Sequence, residues 1–175
     1  MNRFHDLMHF KNPNNSDIPN INLYMDQLLE FFENVLSPLK RIDERTVLTK
    51  TMINNYVKAD IIKSPEKKKY DQESIQDLIV LYHLKKAFSI QDIAHILSYL
   101  KTDSDYYQKF MTQFASAQDK LSEIIPLSEE QELLKNQQAI NLLYNLTAEI
   151  SVKKQLVDYL VDQLSQKKGS EDLKL

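Results

Sequence analysis

A chain of 175 residues, 42% hydrophobic and 27% charged, has the composition of an ordinary globular protein, with room for one compact domain or a head plus a smaller helical module. It has no cysteine, which excludes disulfides, thiolate-ligated metals and cysteine nucleophiles, and its single glycine and five prolines leave few devices for tight hairpins and so favour helices. The net charge of −3 argues against a general nucleic-acid coat, yet nine basic against four acidic residues between Lys40 and Lys69 give that stretch +5 and leave the remainder at −8.

Residues 1–20 mix Asn, Pro, Ser and Asp after a short apolar start, the composition of a flexible arm. The opening MNRFHDLMHFKNPNN lacks the apolar core of a signal peptide, and no apolar run reaches membrane-span length, so a cytoplasmic chain without a membrane partner is expected. His5 and His9 stand four apart, as two ligands on one helical face would, but no third ligand follows at matching spacing and no metal is assigned. From Asn22 to Leu36, the residues Met25, Leu28, Leu29, Phe32 and Leu36 repeat at helical spacing, with Pro38 just beyond the end. The link SPLKRIDERTV, Ser37 to Val47, is longer than the usual turn of a helix-turn-helix; its Lys40, Arg41 and Arg45 suit phosphate contact or simple solubility.

The stretch from Leu48 to Leu97 carries the most specific chemistry. Thr49 or Thr51 can cap a helix whose apolar side is Met52, Ile53, Tyr56 and Val57, which leaves Lys50, Asn54, Asn55 and Lys58 on the other faces. An asparagine amide pairs bidentately with adenine, and lysine reaches guanine edges or phosphate, so those faces suit a DNA groove; a solvated helix face needs the same residues. Pro65 then bars helix, and Lys67, Lys68 and Lys69 crowd like charges together, an arrangement for an exposed loop or hairpin that can lie along phosphates as a wing or simply be solvated. Asp71 caps a helix to about Lys86 that is apolar around much of its circumference, through Ile75, Leu78, Ile79, Val80, Leu81, Tyr82 and Leu84, and therefore belongs inside a core. Ser89-Ile90-Gln91-Asp92 opens a further capped helix, with Ile93, Ile96 and Leu97 on its buried side.

Beyond Leu100, KTDSD forms a hinge, with Asp103 as a cap. Tyr107, Phe110, Phe114, Ala117, Leu121 and Ile124 alternate spacings of three and four, a heptad seam that wants a partner helix. Pro126 ends it, and the capping box Ser128-Glu129-Glu130-Gln131 starts another helix with Ala139, Leu143, Leu146, Ile150, Val157, Leu160 and Leu164 in register. The two helices are expected to pair as a hairpin over residues 104–166, serving either as a homodimerisation module or as the completion of one monomeric core, ahead of a disordered tail at 167–175.

The run INNYVKADII resembles the MerR-type pattern of a Thr-Ile-Arg-X-Tyr helix followed by Gly-Leu-Leu. KKKYDQESIQDLIVLYHLKKAFSIQDIAHIL is similar to the wing, tyrosine, acidic cap and paired helices that follow it. The chain departs from that pattern at Asn54, where a phosphate-binding arginine is expected, and at Asp60, where a glycine is. LYMDQ, LTKTMINNYVKA and KKKY resemble more closely the bacterial domain of unknown function 1836 family, itself considered MerR-like, over most of the chain. The resemblance implies an all-α fold: a MerR-like winged helix-turn-helix head over residues 21–100, with at most a tiny β wing.

No nucleophile stands at motif spacing from a base and no glycine loop could cradle phosphate, so neither catalysis nor a cofactor is expected. His83 and His95 fall inside helices as interior or surface residues. The expected function is a transcription regulator binding double-stranded DNA through Lys50, Thr51, Asn54, Asn55 and Lys58 in the groove and Lys67, Lys68, Lys69 and Tyr70 on the backbone. The alternative is a protein-interaction module of the same fold without DNA. Tyr106, Tyr107, Phe110 and Phe114 could enclose a small effector, or serve the core.

Overall fold

The structure, a computed structural model, describes residues 3–124 and 137–172. It is mostly helical, with α1 (Arg3–Met8), α2 (Met25–Leu36), α3 (Lys50–Lys58), α4 (Gln72–Leu84), α5 (Ile90–Leu100), α6 (Tyr106–Ile124) and α7 (Gln137–Asp172). The strands β1 (Leu23–Tyr24) and β2 (Lys69–Tyr70) pair antiparallel, Leu23 opposite Tyr70 and Tyr24 opposite Lys69. Among the described residues no helix is long and apolar enough to cross a membrane. The expected turn at Pro126 and the capping box at Ser128 to Gln131 lie outside the described residues.

Helix α4 is the axis of the core. Ile75, Leu78, Ile79, Val80, Leu81 and Tyr82 are all buried and spread around most of the cylinder, leaving Gln72, Gln76 and His83 on the side that meets the N-terminal segment. Asp71 starts it as expected, its carboxylate accepting from the Ser74 amide at 2.9 Å and the Ser74 hydroxyl at 2.7 Å. Around it pack Leu28, Phe32 and Leu36 of α2, Ile53 and Tyr56 of α3, and Ile93 and Leu97 of α5. Burial of each such side chain contributes about 1.5–3 kcal/mol.

The segment from Phe10 to Ile18 is part of this core, where a flexible arm was expected from its polar composition. Phe10 and Ile18 are buried, and the backbone between them is fastened to helices. The Tyr107 hydroxyl donates to the Pro13 carbonyl at 2.6 Å, and Gln72 and Gln76 donate to the carbonyl and side chain of Asn15 at 3.1 and 2.9 Å. The imidazole Nε2 of His83 lies 2.7 Å from Asn12 Oδ1, with the ring 4.4 Å from that of Phe114. Burial, and secondarily Lys86, depresses the His83 pKa from its ordinary 6.5 to about 4.

Between those two values the unfolded chain binds more protons than the folded one. Stability is therefore complete above the ordinary histidine range and is expected to fall by about 3 kcal/mol as pH drops toward the folded value. Urea midpoints measured across that range should show the loss, and His83→Phe, which keeps an aromatic ring against Phe114, should remove it. An unchanged acid dependence in that variant would assign the effect to carboxylates instead.

Among the described residues, helix α6 packs chiefly on α4 rather than on the last helix expected to form a hairpin with it. Its Tyr107 and Met111 are buried, and Phe110 and Phe114 pack against the same core, so the first half of the apparent heptad seam is spent on the core and the N-terminal segment. Helix α7 runs unbroken through Ser151 and lies against α5, with Val161 buried, the Lys154 ammonium 5.0 Å from the Phe88 ring centroid and the Tyr99 hydroxyl 3.5 Å from Ser165 Oγ. It continues to Asp172, into the span expected to be a disordered tail.

Candidate nucleic-acid interface

Two adjoining pieces of backbone present the candidate residues. The first is α3, which Thr49 starts by accepting from the Met52 amide at 3.2 Å. It ends in a Schellman arrangement: the Ile61 amide donates to the Tyr56 carbonyl and the Asp60 amide to the Val57 carbonyl, each at 3.0 Å. This closure requires a left-handed residue after the cap, and Asp60 supplies it at φ 56°. Aspartate, standing where glycine was expected, is one of the few side chains that tolerate this region. Ile61 and Ile62 are buried directly after it and fix the exit of the chain.

The second piece is a hairpin, one of the two forms, loop or hairpin, expected of the crowded lysines. Glu66 and Lys69 bridge across a two-residue turn, the Lys69 amide donating to the Glu66 carbonyl at 2.9 Å. Lys67 and Lys68 occupy the turn at φ 50° and 66°, both in the left-handed region that a type I′ turn requires and that Asn-Gly fills at least cost. The return strand pairs with β1, directly ahead of α2, so the hairpin is tied to the chain that leads into α2.

Lys50, Thr51, Asn54, Asn55 and Lys58 are all exposed on α3, as are Lys67 and Lys68 on the hairpin. Lys50, Lys58, Lys67 and Lys68 make no ion pair among the described residues. Lys69 is only half-exposed, its ammonium 4.7 Å from the centroid of the Tyr24 ring, a platform the sequence reading passed over. Tyr70, expected on the wing surface, is instead a core residue, 2% exposed, because period-two alternation in β2 turns it inward when Lys69 faces out.

The Glu33 carboxylate is one of the groups that fasten the long link before α3, with Lys85 and Lys86 donating to its Val47 and Leu39 carbonyls. Glu33 on α2 takes the Lys40 ammonium and accepts from the Val47 amide at 3.0 Å, while Lys40 also reaches the Arg45 carbonyl at 3.3 Å. Burial opposes ionisation of Glu33, but those bonds prevail and hold its pKa below the usual carboxylate range. Lys40 is therefore engaged in holding the link rather than presented to a partner.

The family model described as Domain of unknown function (DUF1836) matches residues 13–117, which takes in α2 to α5, the end of the N-terminal segment packed on them and most of α6, and leaves α1 and α7 outside. Comparison with curated proteins gives no match, and comparison with solved structures gives none. The matched span covers well over half of the chain, and the protein belongs to the DUF1836 family.

Proposed function

We propose that this protein is a cytoplasmic regulator of transcription that binds duplex DNA through a MerR-like winged helix-turn-helix head at residues 21–100. The order of elements supports this: α2 braces, α3 reads the major groove with Asn54, Asn55, Lys50 and Lys58, the hairpin serves as wing, and α4 and α5 close the core behind them. The observation that carries the proposal is the pair of unpaired lysines held left-handed at the hairpin tip. Each such non-glycine residue costs on the order of 1 kcal/mol, a cost that persists where the side chain has work to do.

The same reading takes α7 as the dimerisation element. It leaves Leu143, Tyr144, Leu156 and Tyr159 in solvent, with Tyr144 71% exposed, and a second copy of the chain would cover such residues. Two heads joined in this way would read an inverted repeat. Selection of bound fragments from a random genomic pool, at stated salt, should enrich such a repeat.

A second reading is favoured by Asn54 and by the net charge of −3, which together remove one expected phosphate contact and oppose DNA in general. In this reading the same fold is a protein-interaction module. No enriched sequence, together with a stoichiometric co-purifying protein, would establish it over the first.

A further inference from the structure

A groove of about 670 Å³ lies on the head between the N-terminal segment and the turn that follows α2. Its apolar lining is Phe10, Val35, Pro38 and Ile42. Its charged lining is Lys11, Lys40 and Arg41 against the single carboxylate of Asp6, with His9 beside them. Cations therefore outnumber anions in a protein whose total charge is negative.

Two of these cations are available. Lys11 is exposed and makes no ion pair among the described residues, and Arg41 has only a 3.8 Å contact to Asp43 in which both side chains are mostly solvated. Lys40 is held by Glu33, whose carboxylate offsets its charge, and is not free for a ligand. On the apolar side, Ile42 is 91% exposed, the most exposed large hydrophobic residue described, and it stands next to Arg41 on the rim. A bare isoleucine has no role in solubilising a loop; beside a basic cleft with an apolar floor it offers contact to something that is both apolar and anionic.

We infer that this groove binds a small amphiphilic anion, a carboxylate or phosphate monoester whose charged end meets Lys11 and Arg41 and whose apolar body lies along Phe10, Val35, Pro38 and Ile42. The volume is that of a small-molecule site, and apolar lining with a few convergent charges is the pattern of such sites. The inference does not depend on whether α3 reads DNA, because none of these residues belongs to α3 or the hairpin.

Calorimetric titration of the full chain, without DNA, tests it with three probes: octanoate, the uncharged octanamide and inorganic phosphate. Octanoate should saturate at one equivalent per chain, and octanamide and phosphate should each bind more weakly by roughly tenfold or more. Lys11→Ala and Arg41→Ala should each weaken octanoate to a similar degree, and Ile42→Ser should weaken octanoate while leaving phosphate unchanged. Ile90→Ser, at an exposed position of α5 outside the groove lining, should leave octanoate binding intact. Equal binding of octanoate and octanamide, no saturable octanoate binding, or equal weakening by Ile90→Ser and Ile42→Ser would overturn the assignment. The substituted groove residues are exposed, so loss of fold does not confuse the result.

Discussion

Reversing the two lysines at the hairpin tip, Lys67→Glu with Lys68→Glu, is expected to weaken duplex DNA binding by roughly a hundredfold or more, taking at least about 1.5 kcal/mol for each charge-assisted phosphate contact. The loss should be nearly the same for every sequence, since phosphate contacts carry register rather than sequence. It should also flatten the log-log dependence of affinity on salt by about 0.9 for each contact removed. Replacing the same pair by Asn-Gly separates charge from backbone. That variant satisfies the left-handed turn better than lysine does, so the fold should gain about 1 kcal/mol or more while DNA affinity falls. Fluorescence titration of a labelled operator at several salt concentrations, with urea midpoints for each variant, checks both halves. An unchanged salt slope in the glutamate variant would remove the hairpin from the mechanism, and a destabilised Asn-Gly variant would remove the strain argument.

Much of the head was legible because local signals and the core agreed. Asp71 and Ser89 cap the helices that their sequence neighbours announce, and the largely apolar circumference of α4 reads directly as burial. The exposure of Asn54, Asn55 and the lysines of α3 follows from the same helical periodicity that buries Ile53 and Tyr56.

The misses have a common physical origin, long-range pairing that composition does not encode. Nothing in the polar run Asn12 to Asp17 announces that Tyr107, ninety-four residues later, will fasten Pro13, or that His83 will meet Asn12. The pairing of Tyr24 with Lys69 likewise joins two short strands, and only that pairing decides that Tyr70 faces inward. The heptad spacing in α6 misled for a related reason. A period of 3.5 and the broader stripe of a helix on a globular core share most of their positions, so Phe110 and Phe114 fit both until the neighbour is known.

The other large effect concerns the joint between that helix and the head. Asp77 of α4 is fully buried, salt-bridged to the Lys101 ammonium at 2.8 Å and accepting from the Tyr106 hydroxyl, while Lys101 also reaches Glu73 at 3.0 Å. Burial pushes the Asp77 pKa up, against the lowering effect of its hydrogen bonds to Lys101 and Tyr106, whereas for Lys101 the bonds to Asp77 and Glu73 overcome burial and raise it. The group is therefore under tension: the carboxylate is costly to keep ionised in the core, yet two partners depend on it. Asp77→Ala is expected to destabilise the fold by about 3–5 kcal/mol, because it leaves a buried hydroxyl and a partly buried ammonium with less than they need. Asp77→Asn, which keeps an acceptor for Tyr106, should lose distinctly less. Since the folded pKa is raised, the Asp77 contribution is greatest below the ordinary carboxylate range and declines as pH rises through the folded value, opposite in sign to that of His83. Denaturant midpoints with hydrogen exchange resolve the point: if the network docks α6, its amides should lose protection in Asp77→Ala before those of α4. A cost below about 1 kcal/mol would instead place this cluster with ordinary surface ion pairs.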